Sequence, residues 1–282
     1  MTIQTRHWIK PTLTLFALAI LTWLAPALPL DPWNLLGPKK IAKMILALAI
    51  IQAFGSAMTQ YLGTRTGAIL TGFFGGLISS TATTAALAKK SKESASLGSG
   101  EILTFLSTTG AMLFEGIVLV IAGTTEAHLS NLVVFIGPIL VTIGMTSIEY
   151  RKQDDQTKAS DTSNFQILPI LKLALFIVVI ISVSKVFQKI FGQNGLLVIT
   201  SLVSLFEIHG SIIVNVQLHE SGAVPVSLLC GLLATSIAAS YLSKLFLIAT
   251  LGSTKLRSQV IKRVLLLFIS LAISWMIAVE IA

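Results

Sequence analysis

Nine apolar stretches follow one another along the chain, separated by short polar connections. They cover residues 11–30, 41–62, 66–88, 101–122, 129–148, 167–190, 195–217, 226–250 and 261–281. About 20 predominantly apolar residues are needed for a helix to cross a hydrocarbon core roughly 30 Å thick. The pattern therefore predicts an all-α polytopic membrane protein.

The third stretch carries small and polar residues in its middle, where a helix that only spans a bilayer has no need of them. Two glycines, Gly75 and Gly76, are followed by five hydroxyl residues: Ser79, Ser80, Thr81, Thr83 and Thr84. Glycine weakens a helix by roughly 1 kcal/mol, and hydroxyl side chains compete for backbone hydrogen bonds. We expect two half-helices that meet at a polar break.

The chain repeats this arrangement about 128 residues later. At that spacing, residues 207–210 (Glu-Ile-His-Gly) stand opposite residues 79–82 (Ser-Ser-Thr-Ala), and lysines and glycines elsewhere match at an offset of 129. We predict a duplicated unit of four segments, although leucine-rich helices also align by chance. The predicted organisation is 1–37 (N-terminal transmembrane helix and linker), 38–150 (repeat 1), 151–165 (polar linker) and 166–282 (repeat 2).

The placement of charge indicates how the segments lie in the membrane. The chain is 54% hydrophobic and 11% charged, with a net charge of +8. If segments 66–88 and 195–217 each enter and leave by one face, fourteen flanking Lys and Arg residues share one side and five lie opposite. The five are Lys39, Lys40, Lys43, Lys185 and Lys189. Since cytoplasmic loops carry the excess of positive charge, the N-terminus is predicted to be cytoplasmic.

This topology has seven crossings and two re-entrant helical hairpins. Each repeat then crosses three times, so the two repeats are inverted, which is a recurrent plan of secondary transporters. The alternative is nine full transmembrane helices in parallel repeats. It divides the same charges nine against ten, without the usual bias.

Four ionisable residues fall within the apolar segments: Glu115, Glu207, His209 and Lys244. Charges in hydrocarbon are costly, so such residues are functional candidates. Glu115 and Lys244 are 129 residues apart and occupy equivalent repeat positions with opposite sign. We therefore predict an intramembrane ion pair between them, with a purely structural role as the alternative.

Glu207 and His209 lie at the second break, where half-helix ends and freed carbonyls are able to bind an ion. Together with the hydroxyl residues 79–84 they form the predicted site for an ion or small polar solute. The alternative for Glu207 and His209 is a hydrogen-bonded polar pair in a cavity wall. The alternative for the hydroxyl residues is close helix packing through small side chains. A Glu-x-His pair alone does not predict a metal. Asn215 and Gln217 are expected at an interfacial end, and His219 and Glu220 in solvent.

An enzymatic function is not indicated, because the chain shows no phosphate-cradling loop, histidine cluster or nucleophile motif. No cofactor and no nucleic-acid partner are predicted; the expected partners are the lipid bilayer, the transported ion or solute, and a second copy of the chain in a homodimer. The leading hypothesis is a transporter-like protein. The alternatives are a regulatory or scaffolding membrane protein without flux, and a protein that translocates lipid.

One stretch resembles a known family. Residues 62–67 (LGTRTG) and 75–82 (GGLISSTA) are similar to the uncharacterised multi-spanning domain that follows the MgtC-like part of MgtC/SapB-type bacterial membrane proteins. The resemblance covers about residues 30–275 and implies a bacterial inner-membrane location. It implies no settled activity. Such domains often carry an Asp-x-Asp pair where Glu207 and His209 stand, and a basic residue near Glu115, so this chain departs from the family at both places.

Overall fold

The computed structural model describes residues 4–28, 37–62, 67–93, 99–125, 129–152 and 167–282. The first connection at residues 30–36, the tight connection at 63–66 and residues 153–165 of the predicted linker lie outside this description.

Nine α-helices occupy the described residues. In chain order they are α1 (Gln4–Leu24), α2 (Pro38–Leu62), α3 (Ala68–Glu93), α4 (Ser99–Gly123), α5 (Leu129–Tyr150), α6 (Ile167–Phe206), α7 (Ile208–Glu220), α8 (Val226–Leu251) and α9 (Thr254–Glu280). The predicted all-α class is confirmed. The predicted apolar segments largely coincide with these helices, but α1 ends at Leu24 although the first segment was predicted to extend to residue 30, and segment 195–217 is divided between α6 and α7. The 40-residue helix α6 bends at Gly192, whose φ of 60° and ψ of −144° are accessible chiefly to glycine.

Seven stretches of the described helices are long and apolar enough to cross a membrane. They are Pro38–Thr59, Ala68–Glu93, Gly100–Gly123, Leu129–Tyr150, Val186–Phe206, Val226–Leu251 and Thr254–Glu280. The chain is therefore a multi-pass membrane protein. One of these stretches, Ala68–Glu93, covers most of segment 66–88, which the charge pattern assigns to a hairpin, and another, Val186–Phe206, overlaps the first half of segment 195–217, which it assigns to the other hairpin. Length and composition alone thus do not separate crossing from re-entry.

Helix α9 shows how the outer surface suits lipid. Leu265, Ile269, Ile273 and Met276 are each more than half exposed, and their spacing of three and four residues places them on one side of the helix. The opposite side, with Val260, Val264 and Leu267, is buried against the other helices. Exposed apolar side chains on this scale are expected where the solvent is hydrocarbon.

Helices α3 and α4 pack most closely, and small residues make this possible. The Thr104 hydroxyl lies 3.3 Å from the Ala68 carbonyl, and the Thr108 hydroxyl donates to the Gly72 carbonyl at 2.9 Å. A Cβ atom at Gly72 would lie 2.5 Å from the Thr104 carbonyl oxygen, which leaves room only for hydrogen. Both contacts join residues 36 apart in sequence, so the first part of α3 runs parallel to α4.

Candidate functional site

Two interruptions of helical backbone lie inside apolar segments. Ser79 in α3 has φ −166° and ψ 105°, and Glu207 between α6 and α7 has φ −149° and ψ 96°. Both residues are extended, so one helix stops and another starts at each. The first break therefore lies at Ser79; Gly75 and Gly76, which the sequence suggests as its beginning, are helical.

A side-chain oxygen at each break caps the half-helix that follows. Ser79 Oγ accepts a hydrogen bond from the Ala82 backbone N–H at 3.2 Å. Glu207 Oε1 accepts one from the His209 backbone N–H at 3.0 Å. The first N–H groups of a helix have no partner within the helix, and these oxygens replace the missing acceptors. The residue types at the breaks thus explain why the helices restart there.

The chain does not run straight through either break. A Cβ atom at Gly75 would lie 3.1 Å from Thr83 Oγ1, although residues eight apart in a straight helix are separated by about 12 Å. Across the second break the Thr200 hydroxyl donates to Asn215 Oδ1 at 3.1 Å. A straight helix would place those two residues about 22 Å apart.

The five hydroxyl residues of the first break do not share one surface. Ser80 and Thr84 are buried, and the Thr84 hydroxyl donates to the Ser80 carbonyl at 2.7 Å. Thr81 is exposed, while Ser79 and Thr83 are half-buried. Only some of the predicted ligands at this break therefore face the protein interior.

The second break carries a cluster of ionisable groups drawn from α4, from α7 and from the break itself. His209 Nδ1 lies 3.0 Å from Glu207 Oε1, and His209 Nε2 lies 3.0 Å from Glu115 Oε2. The imidazole therefore stands between two carboxylates, one from the break and one from the middle of α4. We call Glu115, Glu207 and His209 the carboxylate–imidazole triad.

The two ends of the triad differ in accessibility. The Glu115 side chain is completely buried and that of His209 nearly so, whereas the Glu207 side chain is 39% exposed. Among the described residues, neither oxygen of Glu115 has a hydrogen-bond partner, and His209 Nε2 has none either, although Nε2 lies 3.0 Å from Oε2. A buried carboxylate without hydrogen bonds is costly, so this carboxylate marks a position where an ion, a proton or a polar solute would be stabilised.

The predicted ion pair between Glu115 and Lys244 is not among the ion pairs of the described residues. Lys244 Nζ instead donates to Ser240 Oγ at 2.9 Å and lies 2.9 Å from Met112 Sδ. Lys244 is buried and close enough to both Glu115 and Glu207 to interact with them electrostatically. The difference arises because α7, which begins at the break, brings the His209 ring directly to Glu115.

A polar network next to the triad was not foreseen from the sequence. Asn215, expected at an interface, is buried and accepts from Thr200; its Nδ2 also lies 3.3 Å from Ser236 Oγ. Ser211 Oγ and Ser236 Oγ lie 3.1 Å apart. The sequence did contain one sign of this contact. Thr200 and Asn215 lie at nearly equal distances along the chain on either side of Glu207, as two residues in contact across a chain reversal would.

Other expectations at this end of α7 also change. Gln217, likewise expected at an interface, is buried. Glu220, expected in solvent, forms an ion pair with Lys40 and accepts from the Thr125 backbone N–H at 3.0 Å. Its carboxylate therefore ties the end of α7 to the start of α2 and the end of α4.

The described residues contain no group of three or more His, Cys, Asp or Glu side chains arranged to hold a metal ion. The triad has two carboxylates and one imidazole, but the imidazole uses both nitrogens toward the carboxylates. Proton exchange and electrostatic stabilisation of a small ion are the chemistry that this arrangement supports.

Comparison with known proteins adds a family but no activity. A family model described as "Domain of unknown function (DUF4010)" matches residues 46–252, which is more than half of the chain. The matched region includes both breaks, the triad and Lys244. No curated protein and no solved structure matches the chain.

Proposed function

Because this chain belongs to the DUF4010 family, whose description names no activity, we propose its function from the site itself: a membrane transporter that moves an ion or small polar solute. The observation that carries the proposal is the pair of capped breaks, one of them bearing the triad. Interrupted helices whose ends meet inside the membrane are the usual construction of substrate sites in secondary transporters.

The path of α3 supports a re-entrant hairpin. Helix α4 begins beside the start of α3, since Thr104 lies against Ala68. A straight helix of 26 residues would carry Glu93 about 39 Å away, but the link from Glu93 to Ser99 reaches only about 20 Å. The second half of α3 therefore turns back toward the face from which the first half enters.

Contacts at the end of α3 agree with this path. The Ser253 backbone N–H donates to Ser91 Oγ at 2.9 Å, and Lys92 Nζ donates to the Thr250 carbonyl at 3.3 Å. The turn between α8 and α9 thus lies beside the end of α3. The alternative of nine full crossings puts these two positions on opposite faces.

The second hairpin would enter from the other face. Gln188, just before the bend at Gly192, donates to the Ala223 carbonyl at 3.0 Å. Ala223 follows the end of α7, so both ends of the segment 193–220 lie at one face. That face also holds Lys40 with Glu220. Two hairpins entering from opposite faces give inverted repeats with seven crossings, and the face richer in Lys and Arg is then cytoplasmic.

We also propose a bacterial inner-membrane location, with the N-terminus in the cytoplasm. The likeness to MgtC/SapB-type proteins remains a prediction, because the description of the matched family does not name them. We carry over no substrate from that likeness.

Alternating access is the property that tests the proposal without knowledge of the substrate. In a Cys230→Ala background, single cysteines at Ser80, Ser253 and Leu265 would be placed in proteoliposomes of one orientation. An impermeant thiol reagent would then be added inside or outside. We expect Ser80→Cys to react from both sides, Ser253→Cys from one side, and the lipid-facing Leu265→Cys from neither.

A scaffolding protein without flux predicts a different result, in which Ser80→Cys reacts from one side at most. A cysteine at Ser94 adds the topology to the same series. Reaction of Ser94→Cys from the same side as Ser253→Cys supports the hairpin, whereas reaction from the opposite side shows that the third segment crosses.

A further inference from the structure

The triad joins an accessible carboxylate to an inaccessible one through a group that both accepts and donates protons. Glu207 is partly exposed and Glu115 is not exposed at all. His209 lies between them with one ring nitrogen 3.0 Å from each carboxylate. Imidazole is the side chain best suited to relay a proton near neutral pH, since one nitrogen accepts while the other donates.

We infer that His209 relays a proton between Glu207, at the accessible side of the site, and Glu115, in its interior. This rests on the proposed function and names the ion that the site handles. The transported or coupling ion would then be the proton.

The transfer balances within the triad. A protonated Glu207 gives its proton to His209 Nδ1, while His209 Nε2–H gives its own proton to the Glu115 carboxylate. Glu207 is left as a carboxylate, Glu115 as a carboxylic acid, and the imidazole remains neutral with its proton on Nδ1. Proton return by the same route, or rotation of the ring, restores the starting tautomer.

The buried carboxylate of Glu115 gives the relay an end point. Glu115 Oε2 lies 3.0 Å from His209 Nε2, and neither oxygen of Glu115 has a hydrogen-bond partner among the described residues. Protonation of Glu115 removes the cost of a buried negative charge. The proton would leave Glu115 when the site opens toward the other face.

The surrounding groups that bear charge are few. From α4 the imidazole faces Glu115, and from the break it faces Glu207. From α8, Lys244 interacts electrostatically with both carboxylates. The part of α6 that leads into the break, residues 193–206, has no ionisable side chain, and Lys40 of α2 contacts Glu220 at the far end of α7. Protonation of the triad is therefore governed chiefly by its own members and Lys244.

A pH jump on proteoliposomes adsorbed to a solid-supported membrane tests the relay, because protons that enter a site within the bilayer displace charge and produce a transient current. We expect such a current from the native protein. We expect at least a tenfold smaller current from His209→Gln and from Glu115→Gln, which preserves the side-chain shape. His219→Gln, which alters a histidine outside the triad, serves as the matched control and should retain the current.

A native protein without a current, or a His209→Gln protein with an undiminished one, would overturn the relay. Thiol labelling of Ser80→Cys in the same proteoliposomes separates the two proposals. Labelling from both sides without a proton current leaves transport standing and removes the relay. Labelling from one side at most, with no current, removes both.

Discussion

The two breaks share a backbone design and differ in chemistry. Ser79 and Glu207 are both extended, and each caps the following half-helix with a side-chain oxygen. Ser79 does so with a neutral hydroxyl. Glu207 does so with a carboxylate that also contacts His209, and through it Glu115. Either a hydroxyl or a carboxylate oxygen is therefore sufficient to cap the half-helix that follows a break. Only the carboxylate adds an ionisable group there.

The segments on either side of the breaks are also held in different ways. At the first, Gly72 and Gly76 let α3 approach the backbone of α4. At the second, Thr200, Asn215 and Ser236 form polar contacts between α6, α7 and α8. In the first region, close contact of backbones is accompanied by hydrogen bonds from threonine hydroxyls to backbone carbonyls. In the second, the hydrogen bonds join one side chain to another.

The largest effect is expected from making the second break resemble the first. Glu207→Ser keeps a good capping residue but removes the accessible carboxylate. We expect the pH-jump current to fall at least tenfold while the melting temperature in detergent changes little. A current that survives this substitution would show that the charge of Glu207 is not what distinguishes the two breaks.

The next largest effect concerns the close packing at the first break. A side chain at Gly72 meets the Thr104 carbonyl oxygen at 2.5 Å, so Gly72→Val should force α3 away from α4. Overpacking of this kind costs about 1–3 kcal/mol, measurable as a lower melting temperature in detergent by tryptophan fluorescence. Gly144→Val is the matched control, since a Cβ atom there meets nothing within 4 Å. Equal melting temperatures for the two variants would contradict the close approach.

The smallest effect concerns how the ends of the proposed hairpins are anchored. Burial would raise the pKa of the Glu220 carboxyl, but hydrogen bonds from Lys40 and Thr125 outweigh it, so its pKa lies below the ordinary value of 4.5. A carboxyl with a lowered folded-state pKa stabilises the fold above its unfolded pKa, and this contribution is lost as pH falls through the folded-state pKa. Because the pair is partly exposed, we expect about 0–1 kcal/mol.

Melting temperatures of the native protein and Glu220→Gln measure this anchor. They should differ slightly at neutral pH and converge as the pH is lowered through the acid range. At the end of α3, where the first hairpin is proposed, the anchor between Ser91 and Ser253 is neutral. The difference between the native protein and Ser91→Ala should therefore be independent of pH. Two results would contradict the idea that only the second anchor is charged. One is a pH-dependent difference in melting temperature for Ser91→Ala, and the other is a pH-independent difference for Glu220→Gln.

Local patterns in the sequence were sufficient to predict the helices and the approximate positions of the breaks. Hydrophobicity and hydroxyl content are properties of consecutive residues, and a membrane helix satisfies its own backbone hydrogen bonds. The membrane class and the break near residues 79–84 follow from such information. Local information also sufficed to select Glu115, Glu207, His209 and Lys244 as candidates, because an ionisable residue in an apolar segment can be recognised without knowing what it contacts.

Only the tertiary structure decided which of these residues meet. Glu115 and His209 are 94 residues apart, and their contact depends on how α7 starts at the break and packs on α4. The offset between the two predicted repeats suggested Lys244 as the partner of Glu115, but equivalent positions in two repeats need not be in contact. From the sequence, Asn215 was likewise expected at an interface. In the structure, the chain reverses at Glu207 and Thr200 contacts Asn215. Periodicity along one helix carries no information about which helix packs against it. The sequence by itself therefore determined the helices, the breaks and the candidate ionisable residues, whereas packing between helices determined which of those residues form the candidate site.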